Sequence, residues 1–152
     1  MRDEHKPTRK GIYFLCYMTE KMSRMHNLPK SDIVNKMDRG FILNRCEHEH
    51  INHCLNLDEF ALEELKTLGV EHKGTFLREE RARFIAPGIS HMTKVYSDII
   101  MDMGGDLADN FKTVMLSPIA NLIDDYNSNL YLLGTEFLID CIRAGHVVDE
   151  FE

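Results

Sequence analysis

The residues best suited to chemistry lie together in RCEHEHINHC, positions 45–54, which holds three histidines, two cysteines and two glutamates. Thiolate and imidazole are the ligands that Zn²⁺ prefers in tetrahedral protein sites. Four such side chains fall at positions i, i+4, i+7 and i+8 of a helix, along one face: Cys46, His50, His53 and Cys54. A zinc site is therefore one alternative for this stretch.

A straight helix makes a poor zinc site by itself. Residues i and i+8 lie about 12 Å apart, so four side chains on one helix cannot all converge on one ion. Another segment would have to supply a ligand, and the histidines considered for it are His26, His72 and His91. The paired spacings CxxC and HExxH are absent from the sequence. The sequence thus favours a solvated helix flank with buried cysteines, and we predict no cofactor, with zinc as the alternative.

Arg45 and His50 form the pattern Arg-x4-His, which gives a second alternative. A histidine can act as a general acid or base, and an arginine can stabilise charge that develops on a phosphate. The pair resembles the motif of the HEPN-type ribonucleases, small all-helical proteins that often dimerise, and this resemblance implies RNA cleavage. It covers two residues only, and Glu47 and Glu49 would repel a phosphate backbone. We predict no catalytic residues, with Arg45 and His50 as the alternative pair.

The bulk composition narrows the class of protein. The chain has 152 residues, 43% of them apolar, enough for one compact domain or two small helical units. Its formal net charge of −7 argues against a nucleic-acid-coating protein. The apolar run IYFLCYM is too short to cross a bilayer and is a poor signal peptide. Four cysteines without a CxxC pair are typical of a reducing cytosol, so we expect a cytoplasmic protein.

Hydrophobic periodicity predicts helices nearly throughout and no strands, so the predicted fold is an all-α helical bundle. Residues suited to cap helices are Asn56, Ser90, Asp106 and Ser117. The glycine at position 40 is expected to end a short helix over 31–37. The predicted helices cover 12–26, 31–37, 41–54, 57–68, 78–85, 91–103, 107–116, 118–126 and 135–144. Leu62, Leu122 and Tyr126 are expected to face the core.

The two halves of the chain resemble each other. An offset of 77 aligns residues 42–65 with 119–142 without a gap. The identical pairs are Ile42/Ile119, Asn44/Asn121, Asn52/Asn129, Leu55/Leu132, Glu59/Glu136 and Phe60/Phe137. Cys46, His53 and Cys54 then occupy positions that hold apolar or aromatic residues in the second half, which favours a core role for the cysteines. The alignment predicts two similar helical units in tandem.

This repeat sets the predicted domain boundaries. They are a charged N-terminal tail at 1–10, helical unit 1 at 11–69, a connecting segment at 70–90, helical unit 2 at 91–146 and an acidic tail at 147–152.

The stretch LIDDYNSNLYLLGTEFLIDCI is similar to a small, uncharacterised bacterial all-helical family, and the first half resembles it more faintly. The likeness rests on Leu122, Asp125, Tyr126, Glu136, Phe137 and Asp140, and in the first half on Glu59, Phe60 and Leu65. A histidine usual after the turn in that family is missing here. Some members lie beside toxin-like proteins, so the resemblance implies an antitoxin or regulatory role toward a protein partner.

The remaining candidates are surfaces rather than catalytic sets. Met18, Met22 and Met25 form a stripe that suits a core or an adaptable partner groove. Arg78 and Arg81 could contact an acidic partner or nucleic acid, although neighbouring glutamates offset their charge. We predict a non-catalytic regulatory module, of the antitoxin, immunity or inhibitor kind, that binds a protein partner. Nucleic acid and membranes are not expected as partners, and homo-oligomerisation stays open.

Overall fold

The computed structural model describes residues 8–47, 56–70 and 87–148. Within these ranges every regular element is a helix and no residue lies in a strand, so the all-α prediction is confirmed. The α-helices are α1 (Arg9–His26), α2 (Lys30–Val34), α3 (Arg39–Glu47), α4 (Leu57–Leu68), α5 (Ile89–Asp102), α6 (Leu107–Leu116), α7 (Pro118–Ile123) and α8 (Thr135–Ala144). Two 3₁₀ turns, Tyr126–Ser128 and Leu130–Leu132, join α7 to α8. None of the helices described here is long and apolar enough to cross a membrane.

Three of the four predicted side-chain caps are confirmed, at Asn56, Asp106 and Ser117. Asn56 accepts hydrogen bonds from the backbone N–H groups of the first turn of α4, and Asp106 does the same for α6. Ser117 caps α7 ahead of a proline in its first turn, where the missing N–H costs nothing. The prediction for Ser90 was wrong, because α5 begins at Ile89 and Ser90 already lies in its first turn.

Other predicted boundaries were displaced by local hydrogen bonds. Gly40 does not end a helix but lies in the first turn of α3, where the Asp38 carboxylate accepts the Phe41 N–H at 2.7 Å. Helix α7 stops at Ile123 instead of continuing to 126, because the Ser128 hydroxyl donates to the carbonyl oxygen of residue 122 at 2.7 Å. The predicted segments 48–54 and 78–85 lie outside the described residues.

The core is built around α1, which packs chiefly against α5 and also against α2, α3 and α4. Helix α5 in turn packs against α6 and α8, so the two long helices join the two halves of the chain. Leu62 and Leu122, expected to face inward, are 42% and 40% exposed. Both side chains therefore keep a large part of their surface in contact with solvent, and these two expectations were wrong.

The order of the helices repeats at the offset of 77 found in the sequence. Helix α4, shifted by 77, covers 134–145, and α8 runs from Thr135 to Ala144. All six buried residues of α5 fall on positions that are buried in α1. The pairs are Leu15/Met92, Cys16/Thr93, Thr19/Tyr96, Glu20/Ser97, Met22/Ile99 and Ser23/Ile100. These correspondences support the repeat, and the boundaries of the two units and tails stay a prediction.

Candidate functional site

The structure describes about half of the residues that the sequence singled out. Those described are Met18, Met22, Met25, Arg45 and Cys46. Those outside the described residues are His50, His53, Cys54, Arg78 and Arg81. The zinc and HEPN-like alternatives each need residues from both groups, so both stay predictions.

Arg45 links two helices through its guanidinium group. Its Nε and Nη2 donate to the two carboxylate oxygens of Glu64 at 2.6 and 2.9 Å, which ties α3 to α4. Nη1 donates to the side-chain oxygen of Asn44 at 2.6 Å, and the Phe41 ring lies 4.2 Å from the guanidinium carbon. Every nitrogen of Arg45 thus has a protein contact, and the charge of Glu64 balances its own. These contacts give Arg45 a structural role, because they hold α3 against α4.

Cys46 faces the helix α1 rather than solvent. It is 2% exposed and packs against Gly11, so closely that a Cβ atom on Gly11 would lie 2.7 Å from the Cys46 carbonyl oxygen. Burial raises the pKa of the Cys46 thiol to about 12. Burial also raises the pKa of Cys16, and the neighbouring Cys46 raises it further. Because the thiolate is the nucleophile, both thiols are poorly suited to nucleophilic attack.

Alkylation of the native chain checks this protonation state. A thiol with a pKa of about 12 is ionised in roughly one molecule in 10⁴ at pH 8. We expect iodoacetamide at pH 8 to leave Cys16 and Cys46 unmodified in the native chain and to modify both in urea, with peptide mass spectrometry as the measurement. Native modification of Cys46 at a rate within about tenfold of the rate in urea would contradict this reading.

The methionine stripe belongs largely to the core. Met18 and Met22 are 2% and 1% exposed, and Met25 is half-buried against the same core. A partner could reach the first two only if the core opened. Of the three, Met25 alone has surface to offer.

A buried group of charged and aromatic side chains among the described residues was not predicted. We call it the buried ion cluster, and it consists of Glu20, Arg24, Lys30, Asp124, Tyr96 and Tyr126. Lys30 is fully buried, and its Nζ lies 2.7 Å from Glu20 Oε1 and 2.8 Å from both oxygens of Asp124. The Tyr96 ring lies 4.7 Å from the same Nζ. The ammonium group is thus enclosed by two carboxylates and an aromatic face.

The opposite charges within the buried ion cluster compensate one another. Arg24 Nε donates to Glu20 Oε2 at 2.6 Å, and the Tyr96 hydroxyl lies 2.7 Å from Asp124 Oδ1. Burial alone would raise the pKa of Glu20, but the positive charges of Lys30 and Arg24 outweigh burial and lower it to about 2. Two cations therefore meet two anions, and the cluster connects α1 and α2 to α5 and α7.

A second unpredicted feature is a set of three exposed leucines on α7 and on and directly after the second 3₁₀ turn, two elements that contact each other, and we call it the leucine surface: Leu122, Leu132 and Leu133. Their exposed fractions are 40%, 61% and 44%. The two 3₁₀ turns create it, because Leu130 points into the core and Tyr131 packs edge-on against Tyr126 and His91. With about three residues per turn, the following two leucines are directed outward.

The charged residues between positions 113 and 142, the segment that contains the leucine surface, are all negative. Residues 113–142 contain no Lys, Arg or His. Asp124 is compensated by Lys30 inside the cluster, whereas Asp125, Glu136 and Asp140 are exposed. The leucine surface therefore belongs to a segment with three exposed negative charges and no positive one of its own.

Two further findings bear on function. Across residues 8–47, 56–70 and 87–148, no three His, Cys, Asp or Glu side chains are grouped so that they could hold a metal ion. No protein-family model, curated protein or solved structure matches this chain.

Proposed function

We propose that this chain is a non-catalytic module that binds a protein partner in the cytoplasm and regulates it, as antitoxin, immunity and inhibitor proteins do. The leucine surface carries the proposal. Leu132 and Leu133 are consecutive, exposed and held outward by a turn whose neighbours, Leu130 and Tyr126, are buried. Exposing apolar surface on a well-packed turn forgoes burial free energy, and contiguous exposed apolar side chains are typical of interaction sites.

The contacts of the two described residues that could do chemistry, Arg45 and Cys46, support the same proposal. Arg45 is held by Glu64 on a neighbouring helix, and the Cys46 thiol is buried and protonated at neutral pH. The net charge of −7 disfavours nucleic acid as the partner. The weak likeness of the second half to a family found beside toxin-like proteins agrees with a regulatory role toward a protein. Homo-oligomerisation is a second way in which the leucine surface could be covered.

Crosslinking in the native host tests the proposal. We expect the tagged chain to enrich a specific protein and the double substitution Leu132→Ser with Leu133→Ser to reduce that enrichment at least about tenfold. Leu62→Ser is the matched control, since this leucine is equally exposed but lies on α4, and we expect it to retain the partner.

Two outcomes would overturn the proposal. One is crosslinking that enriches no protein specifically above an untagged strain. The other is ribonuclease turnover by the purified chain that disappears in Arg45→Ala, while circular dichroism shows the variant to be folded. The second outcome would move the function to the HEPN-like alternative.

A further inference from the structure

We propose that the leucine surface receives a basic amphipathic helix of the partner, with apolar side chains on one face and lysines or arginines beside them. This inference rests on the proposed function and adds the chemistry of the partner. Three features of the chain lead to it: the absence of a strand edge, the internal pairing of the turn's backbone, and the sign of the surrounding charge.

The backbone of the turn is already paired. The N–H of Leu132 donates to the carbonyl oxygen of Asn129 at 3.1 Å, and the N–H of Leu133 donates to that of Leu130 at 3.0 Å. The N–H of Leu130 donates to the Ser128 hydroxyl at 3.2 Å. No strand edge is available among the residues that the structure describes, so strand addition is not open to the partner there. Recognition therefore falls to side chains, as when a helix lays its apolar face on another protein.

The surrounding charge selects a basic helix over an acidic one. Asp125, Glu136 and Asp140 are exposed in a segment that has no positive residue. One exposed positive residue, Arg143, follows the segment directly in the last turn of α8, so three exposed negative charges face one positive charge there. Positive charge also approaches from other helices, where it is compensated. Arg24 lies over the Tyr126 ring and pairs with Glu20, and Lys30 pairs with Glu20 and Asp124. His91 contacts Tyr131 through its ring.

The same charges disfavour a second copy of this chain as the occupant. Two copies, each with a net charge of −7, would repel each other as they approached through an acidic segment. A basic partner is instead attracted, and its apolar face removes the three leucines from water. Burial of the leucines then supplies affinity, while the exposed acidic residues of the same segment supply orientation and a fast association rate.

Fluorescence-polarisation titrations with three designed peptides test the inference. Each peptide is about five helical turns long. The Leu/Lys peptide has leucines on one face and lysines on the other, the Leu/Glu peptide replaces the lysines by glutamates, and the Gln/Lys peptide replaces the leucines by glutamines. We expect the Leu/Lys peptide to bind the full chain at least about tenfold more tightly than the other two. The double substitution Leu132→Ser with Leu133→Ser should weaken it by about tenfold, whereas Leu62→Ser should leave it unchanged.

Substitutions of the acidic residues test the role of charge without changing how the leucines of the turn pack. Glu136→Gln with Asp140→Asn leaves the leucines in place and should weaken binding several-fold at low salt, with a smaller change at high salt. Equal binding of the Leu/Glu peptide would overturn the inference. So would equal losses in the Leu62 control and the double leucine variant, or self-association of the chain that depends on Leu132 and Leu133.

Failure here is distinguishable from failure of the proposed function. If the Leu/Lys peptide does not bind but crosslinking to a host protein still depends on Leu132 and Leu133, the partner chemistry is wrong and the module role stands. If crosslinking fails as well, both proposals fall.

Discussion

Lys30→Met is expected to lower the free energy of unfolding by about 3 to 5 kcal/mol. The substitution fills a similar volume but leaves Glu20 and Asp124 without the ammonium group that lies 2.7 and 2.8 Å from them. Both carboxylates are buried, at 0% and 5% exposure, so water cannot replace the lost partner without opening the core. Urea denaturation at neutral pH, followed by circular dichroism, measures the change.

A double variant tests whether this cost arises from the unpaired charge. Asp124→Asn in the Lys30→Met background removes one orphaned charge while its amide oxygen can still accept the Tyr96 hydroxyl. We expect the double variant to be more stable than the sum of the single effects predicts, with a coupling of about 1 to 3 kcal/mol. Arg39→Met, which removes an exposed pair with Asp106 and Asp109, should cost far less. Strict additivity in the double variant would refute the explanation.

The acid dependence of stability follows from the same contacts. The pKa of Glu20 is about 2 in the folded chain and about 4.5 when unperturbed, so the unfolded chain binds the proton more readily. The stability from Glu20 is therefore present above about pH 4.5 and is lost as the pH falls toward 2. In Lys30→Met the folded pKa should rise, which shifts this loss to higher pH.

Gly11→Ala is expected to destabilise the chain by about 1 to 3 kcal/mol, although alanine is the better helix former. The added Cβ would lie 2.7 Å from the carbonyl oxygen, 2.8 Å from Cβ and 2.9 Å from Cα of Cys46. Two of these three atoms belong to the backbone, so no side-chain rotation relieves the contact. Helices α1 and α3 would have to separate, and thermal and urea unfolding would both register the change.

The control for this substitution is Gly134→Ala. That glycine has a φ of −65°, and an added Cβ would have nothing within 4 Å of it. We expect a change within about 0.5 kcal/mol. Equal or greater stability of Gly11→Ala would show that α3 can move away from α1 at little cost, contrary to the close packing seen here.

Local features of the fold were predictable because their causes lie close together in the sequence. The predicted and observed bounds of α8 agree, because the spacing of its apolar residues and the glycine after Ala144 are both visible within a short stretch of sequence. The caps at Asn56, Asp106 and Ser117 were predicted for the same reason. Leu62 and Leu122 were misplaced because a helical period fixes a face, whereas the neighbouring helices decide how wide a part of it is covered.

The polar interior could not be predicted from the sequence, because its partners lie far apart along the chain. Lys30 and Asp124 are separated by 94 residues, and Lys30 alone resembles an ordinary solvated residue near a helix start. Arg45 attracted a catalytic hypothesis because its partner, Glu64, lies 19 residues away on another helix. One signal for Glu20 was present: it occupies the buried stripe of α1, four residues after Cys16 and four before Arg24.

The sequence carries a local signal for the leucine surface. Four apolar residues run from Leu130 to Leu133 with no helical period beneath them. A chain segment with about three residues per turn cannot bury four consecutive side chains against one neighbour. Some of them must face outward, and the structure shows that these are Leu132 and Leu133.

The correspondence between α1 and α5 has a consequence for symmetry. Two of the equivalent positions hold different chemistry, since Glu20 corresponds to Ser97 and Lys30 to Leu107, whereas the third pair, Asp124 and Glu47, differs in burial. If two identical copies of one half formed a symmetric dimer, every buried charged residue would occur twice. The cost of removing that charge from water would then also be incurred twice. When both halves belong to one chain, an interior charge in one half need not be repeated in the other, because the two halves can hold different residues. The chain thereby carries the buried ion cluster once: the positions equivalent to Glu20 and Lys30 hold the neutral Ser97 and Leu107, and the carboxylate equivalent to Asp124, Glu47, is exposed to water.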